Sequence, residues 1–98
     1  MKKFNITSLT IQGSSMEPRV KRGDKLDICS PADTLSRGDI VVFSQGDALV
    51  THRIIQIRTI KGVHVYLTKG DNTTTADGWI SKKNIIGKVT NIHARKSL

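Results

Sequence analysis

Apolar positions recur along this chain with a period of two, in short runs separated by turn residues. Between Ile6 and Gln12, Leu9 and Ile11 fall on one face, the pattern of a half-buried strand. Lys25 to Cys29 repeats it with Leu26 and Ile28 in phase. Asp39 to Phe43 carries a continuous apolar run, which predicts a strand covered on both faces. Ala48 to Arg58 is the longest candidate: Val50, His52 and Ile54 share one face, and Leu49, Ile55 and Ile57 share the other with Thr51 and Arg53. Val63, Val65 and Leu67 then alternate with His64 and Tyr66, which turns His64 to solvent and completes a hairpin around Lys61-Gly62. A helical turn is predicted for Trp79 to Lys83, and a last strand for Ile85 to Ile92 with Val89 as a further apolar position. The punctuation is Gly13, Gly23-Asp24, Ser30 to Asp33, Ser36-Arg37-Gly38, Gln45-Gly46-Asp47 and the polar loop from Thr68 to Gly78. No helical periodicity of any length occurs. About six short strands joined by glycine-containing turns make the expected class all-β, a coiled meander or partly open barrel.

Length and charge narrow this picture. A chain of 98 residues holds one modest core, so a single domain over residues 1–98 is expected, with the polar residues 93–98 as a fraying tail. Only Phe4, Phe43, Tyr66 and Trp79 are aromatic, so aliphatic side chains must fill the core. The net charge is +8, which could draw in nucleic acid, an anionic membrane surface or acidic substrates. The basic residues are scattered, and aromatics are not interleaved with them as base-stacking surfaces require, so nucleic acid is not expected as a partner. Cys29 is the sole cysteine, which excludes an internal disulfide and a zinc ribbon. No metal or cofactor is expected. No apolar stretch reaches the roughly 18 residues of a membrane helix, and the segment after Lys2-Lys3 is broken by Asn5, Thr7, Ser8 and Thr10, unlike a signal peptide. The expectation is a soluble chain, cytoplasmic or at the periphery of a membrane.

Candidate chemistry centres on Gly13-Ser14-Ser15-Met16-Glu17-Pro18. Pro18 fixes its own φ and restricts Glu17, so Ser15 lies on a stiff, sharply turned segment. Local composition alone favours a plain polar turn between strands. A serine nucleophile needs a base. Of the three histidines, His93 lies in the tail and His64 faces solvent, whereas His52 sits mid-strand between Val50 and Ile54, in the rigid, apolar setting a base requires. A histidine base in turn needs a carboxylate to fix its tautomer. Asp71 and Asp77 bracket the Thr-rich loop, and either could reach His52; both also sit in ordinary turn sequences.

The order of short motifs resembles the signal peptidase I family, in its archaeal and endoplasmic-reticulum branch. The motifs are Ser15-Met16-Glu17-Pro18 followed by Gly23-Asp24; Arg37-Gly38-Asp39-Ile40-Val41-Val42-Phe43; Thr51-His52-Arg53-Ile54-Ile55; Thr68-Lys69-Gly70-Asp71-Asn72 followed by Asp77; and Ile86-Gly87-Lys88-Val89. The resemblance implies the all-β LexA/signal-peptidase-like fold and a serine endopeptidase that cuts precursor peptides after small residues. It implies Ser15 as nucleophile, His52 as base where bacterial signal peptidases and LexA-type repressors carry lysine, and Asp77 as the partner of His52, with Asp71 second for that role. Many family members carry a helper serine two residues before the nucleophile; here that residue is Gly13, which leaves Ser14 or backbone N–H groups to support the oxyanion. Signal peptidases are membrane-anchored, which points to a peripheral membrane or membrane-protein partner for a chain without an anchor. Two other readings compete. One is a LexA-type self-cleaving or regulatory domain, disfavoured by the absence of a helix-turn-helix pattern. The other is a catalytically idle basic β-domain that binds an anionic partner.

Overall fold

The structure, a computed structural model, describes residues 7–30 and 34–95. Seven antiparallel strands make up one sheet: β1 (Ser8–Thr10), β2 (Lys25–Cys29), β3 (Ile40–Gln45), β4 (Ala48–Ile60), β5 (Val63–Lys69), β6 (Trp79–Ser81) and β7 (Ile85–His93), with a 3-10 turn at Lys82–Asn84. Their order across the sheet is β1-β2-β7-β3-β4-β5-β6. The all-β class expected from the alternation is therefore what the chain adopts. Nothing is described for Ile6, where the first strand was expected to begin, or for residues 31–33.

β3 lies at the centre of the packing. Its unbroken apolar run puts Ile40 and Val42 into one core with Met16, Val20, Leu26 and Ile28, while Val41 and Phe43 enter a second core with Leu35, Ile54, Tyr66 and Ile85. Alternate residues of a strand point to opposite faces, so a strand covered on both sides must be apolar throughout, as β3 is. β-Bulges interrupt the pairing at Asp27/Ile28, Val42/Phe43 and Ile54/Gln56. Each adds local twist, which lets the sheet coil.

The bulge in β4 corrects one expectation. Simple alternation put Ile57 opposite Ile54, but the extra residue resets the phase and Ile57 packs on the second core. β5 corrects another: Tyr66 and Thr68 are its inward residues, Tyr66 3% and Thr68 0% exposed, so Val63, Val65 and Leu67 line the outer face. His64 is exposed as expected, and its ring bonds Thr59 across the hairpin. The predicted helical turn from Trp79 to Lys83 is instead strand β6 followed by the 3-10 turn. His93 is not part of a frayed tail: it ends β7 and bonds Asp27 Oδ2 at 2.8 Å, and the Arg95 N–H donates to Asp24 Oδ1 at 3.0 Å. Residues 96–98 fall outside the described part of the chain.

The sheet does not close. Among the described residues, β1 pairs only with β2, and the first part of β4, Ala48 to His52, pairs only with β3, because β5 joins at Arg53. These two unpaired edges border a cleft of about 460 Å³, with Leu9 to Gly13 along one wall and Leu49 to His52 along the other.

Candidate active site

Ser15 stands at one end of that cleft. The chain leaves β1, passes Gly13 and makes a tight turn in which Glu17 N–H donates to Ser14 O at 3.1 Å and Val20 N–H to Met16 O at 2.9 Å. Met16 and Val20 are buried in the first core and pin the turn from below. The Glu17–Pro18 peptide bond is cis. Ser15 is thereby held half-buried over an apolar floor, with its hydroxyl aimed across at β4.

His52 comes from the middle of β4, opposite Val41, and is 8% exposed. Phe43 meets its ring edge-on, with centroids 6.3 Å apart. Its two ring nitrogens have different partners. Nε2 lies 2.9 Å from Ser15 Oγ, and Nδ1 lies 2.5 Å from Asp77 Oδ2. An ionised carboxylate only accepts, so the ring proton sits on Nδ1 and Nε2 is left free to accept the serine proton. Asp77 is itself fixed twice by Thr68: its N–H donates to Thr68 O at 2.8 Å, and the Thr68 hydroxyl donates to Asp77 Oδ2 at 2.9 Å.

Asp71 occupies a different place. It makes no hydrogen bond to the His52 ring; instead it takes a two-pronged bond from Arg53, Nε to Oδ1 at 2.9 Å and Nη2 to Oδ2 at 2.8 Å. Arg53 Nη1 continues to Gly38 O at 2.8 Å. The bond from Arg53 holds the Asp71 carboxyl below its ordinary pKa. The loop that carries Asp71 is fastened to the serine turn, with Asn72 N–H on Ser15 O at 2.7 Å and Asn72 Nδ2 on Ser14 O at 3.1 Å. Gly70 makes that approach possible: a Cβ there would lie 2.7 Å from Ser15 O and 3.0 Å from His52 Nε2. At Gly13 a Cβ would meet nothing within 4 Å, so the absence of a side chain there reflects no crowding. Ser14 is exposed, and neither its hydroxyl nor the Ser15 N–H finds an acceptor among the described residues. No group of three His, Cys, Asp or Glu among the described residues could hold a metal ion.

A serine hydroxyl, an imidazole and a half-buried carboxylate in one hydrogen-bonded row can generate a nucleophile at neutral pH. Comparison with known proteins points the same way. A family model described as Peptidase S24-like matches residues 2–90. The chain belongs to the peptidase S24-like family. It is 35% identical over 92 residues to signal peptidase I W of Bacillus subtilis (strain 168), across 89% of this chain and 48% of that protein. Two catalytic subunits of the signal peptidase complex named SEC11 are also similar. That of Scheffersomyces stipitis is 35% identical over 78 residues, 76% of this chain and 47% of its own length; that of Clavispora lusitaniae is 30% identical over 88 residues, 86% and 53%. The S24-like chain thus spans about half the length of the curated relatives it matches.

Two residues of this S24-like site were not singled out from sequence. Thr68 reads as the start of a polar loop, although its two-residue spacing from Tyr66 puts both on one strand face. Arg53 stands in the Thr51–Ile55 motif without a role of its own, although it directly follows His52 and so points to the opposite side of β4, where Asp71 meets it.

Proposed function

We propose that this chain is a serine endopeptidase resembling signal peptidase I, acting on precursor peptides after small residues. The observation that supports this most directly is the row Asp77–His52–Ser15 at the end of an open cleft. In this reading Ser15 Oγ attacks the scissile carbonyl as His52 Nε2 takes its proton. Asp77 holds the imidazole in the required tautomer and stabilises the imidazolium that forms. His52 then gives the proton to the leaving amine, and an acyl-enzyme on Ser15 remains. Water, its proton taken by His52, attacks the ester; the C–Oγ bond breaks, His52 returns the proton to Ser15 Oγ, and the carboxylic acid product leaves. The Ser15 N–H, without an acceptor among the described residues, supports the oxyanion; losing such a donor typically costs on the order of 100-fold in rate.

The cleft gives the substrate its form. Both of its walls are unpaired strand edges, so a peptide laid between them in extended conformation would complete the sheet on either side through main-chain hydrogen bonds. Leu9, Ile11, Leu49 and Val50 supply apolar contacts for its side chains. The preference for a small residue at the cut is what the likeness to signal peptidases implies.

The test is cleavage of a synthetic precursor peptide with small residues before the scissile bond. The wild-type chain is expected to cut it, and Ser15→Ala to lose roughly 1,000-fold or more in kcat/KM while melting at an unchanged temperature. Full activity in Ser15→Ala would overturn the proposal.

A further inference from the structure

Ser15 brings two groups to the cleft, its hydroxyl and its main-chain N–H, and different neighbours aim them. His52 holds the hydroxyl, with Nε2 2.9 Å from Oγ. The N–H belongs to the peptide unit between Ser14 and Ser15, which is trans. A trans peptide is planar, with its C=O and N–H pointing in opposite directions. Whatever fixes Ser14 O therefore fixes the direction of the Ser15 N–H.

Two donors converge on that oxygen. Glu17 N–H reaches Ser14 O at 3.1 Å from within the serine turn, and Asn72 Nδ2 reaches it at 3.1 Å from the loop after β5. A carbonyl oxygen only accepts, so the Asn72 amide presents its NH2 there. The Asn72 main-chain N–H meanwhile donates to Ser15 O at 2.7 Å. One residue thus grips the peptide units on both sides of the nucleophile. The loop that carries it is braced: Thr73 donates to Gly70 O through its N–H and its hydroxyl, each at 3.0 Å. Donors on Ser14 O also polarise the peptide unit, which strengthens its N–H as a donor. No hydroxyl can reach the oxyanion from Gly13, so the aim of the main-chain N–H carries more weight in this chain.

We infer that Asn72 is a positioning residue for the oxyanion: its side-chain amide, through Ser14 O, holds the Ser15 N–H toward the carbonyl under attack. The inference rests on the serine-peptidase reading of the site. It separates two tasks within one residue, the hydroxyl being set by His52 and the N–H by Asn72. Asn72 itself touches neither His52 nor Asp77 through any hydrogen bond of its side chain, which ends on Ser14 O. Its removal should therefore weaken stabilisation of the tetrahedral oxygen and leave the basicity of His52 as it is.

The experiment compares the whole chain with its Asn72→Ala variant, which keeps the main-chain bond to Ser15 O and loses only the side-chain donor. Asn72 is exposed, so the variant should fold. Against the synthetic precursor peptide, kcat should fall roughly ten-fold with KM hardly changed, less than the loss of a whole oxyanion donor because Glu17 N–H still holds Ser14 O. A peptide aldehyde built on the same sequence probes the oxyanion directly. Ser15 Oγ adds to the aldehyde carbon, its proton passes to His52, and the carbonyl electron pair moves onto the oxygen. Its affinity should weaken by about the same factor as kcat, whereas the uncleaved peptide should bind Ser15→Ala equally with and without Asn72→Ala. The acid limb of kcat/KM should stay where it is in the wild type, since the His52–Asp77 pair is untouched. Asn72→Asp keeps the outline of the side chain, replaces the donor by an oxygen and should lose at least as much kcat. Wild-type kcat and aldehyde affinity in both variants, or a loss confined to KM, would overturn the inference while leaving the peptidase reading intact. So would a displaced acid limb in Asn72→Ala, which would show that the loop acts through His52 and Asp77. A wild-type chain that neither cuts the peptide nor binds the aldehyde would overturn the peptidase reading and the inference with it.

Discussion

One oxygen of Asp77 carries two donors, His52 Nδ1–H at 2.5 Å and the Thr68 hydroxyl at 2.9 Å. Thr68 has no exposure to solvent, so no water can replace its hydroxyl if it is removed. Two bonds to a single oxygen fix the rotation of the carboxylate, and with it the plane in which the imidazole must lie to meet Ser15. Thr68→Val keeps the shape of the side chain and removes only the donor. A hydrogen bond to a charged group contributes about 1.5–3 kcal/mol in such comparisons. Part of that should appear in the chemical step, with kcat lowered about ten-fold. KM should hardly change, because Thr68 lies behind His52 rather than along the cleft. Thr68→Ser should restore most of kcat. Wild type and the two variants compared by initial rates over a range of peptide concentration settle the matter; a Thr68→Val enzyme with wild-type kcat would show that the backbone bond from Asp77 to Thr68 suffices.

At the level of elements, the site is assembled by fastening one loop against one turn. Asn72 ties the loop to Ser14 and Ser15, and Arg53 grips Asp71 while reaching Gly38. The Arg53–Asp71 side chains are 29% and 24% exposed, and the fork geometry is two-pronged, which sets the pair apart from a free surface ion pair. A double-mutant cycle with Arg53→Ala and Asp71→Ala should therefore give a coupling of about 1 kcal/mol in denaturant unfolding, and each single variant should also lower kcat/KM by loosening the serine turn. Additive effects would show that the two act separately. Asp71 also marks the limit of what the sequence reveals. The order of motifs brings Ser15, His52 and Asp77 forward, and the fold places those three in one row. Spacing alone left Asp71 equivalent to Asp77, because which side of β4 each loop residue meets depends on the start of β5 pairing at Arg53. The strands themselves were legible wherever the pattern was simple, alternating in β2 and continuously apolar in β3. β5 was misread because its apolar residues are the outer ones, and Ile57 because a bulge shifts the phase without leaving a residue-type signature. β6 was missed because three residues are too few for a period.

For the molecule as a whole, the balance of charge decides how stability responds to acid. Asp24, Asp27 and Asp71 are all held below the ordinary carboxylate value of 3.8, chiefly by the backbone N–H of Lys21, by His93 and by Arg53 respectively. A carboxyl whose pKa is lower folded than unfolded binds its proton more readily in the unfolded chain. Its contribution is therefore fully present above the unfolded value and is lost as pH falls through the folded one. The same protonation removes negative charges that offset the 16 Lys and Arg cations, so the net charge rises above +8 and repulsion grows over the same range. Asp24 matters most to architecture, since it joins the turn at Lys21 to the chain after β7 through Arg95, two segments far apart in sequence. The midpoint of urea unfolding should stay level from neutrality down to about pH 4 with respect to these three groups and drop steeply below it. Asp24→Asn cannot carry the charge at any pH, so its midpoint should be lower at pH 7 and fall less on acidification, the two curves converging once Asp24 is protonated in the folded wild type as well. Parallel curves for wild type and Asp24→Asn would show that the bonds from Lys21 and Arg95 hold the neutral side chain as firmly as the carboxylate, and that the staple is one of shape rather than charge.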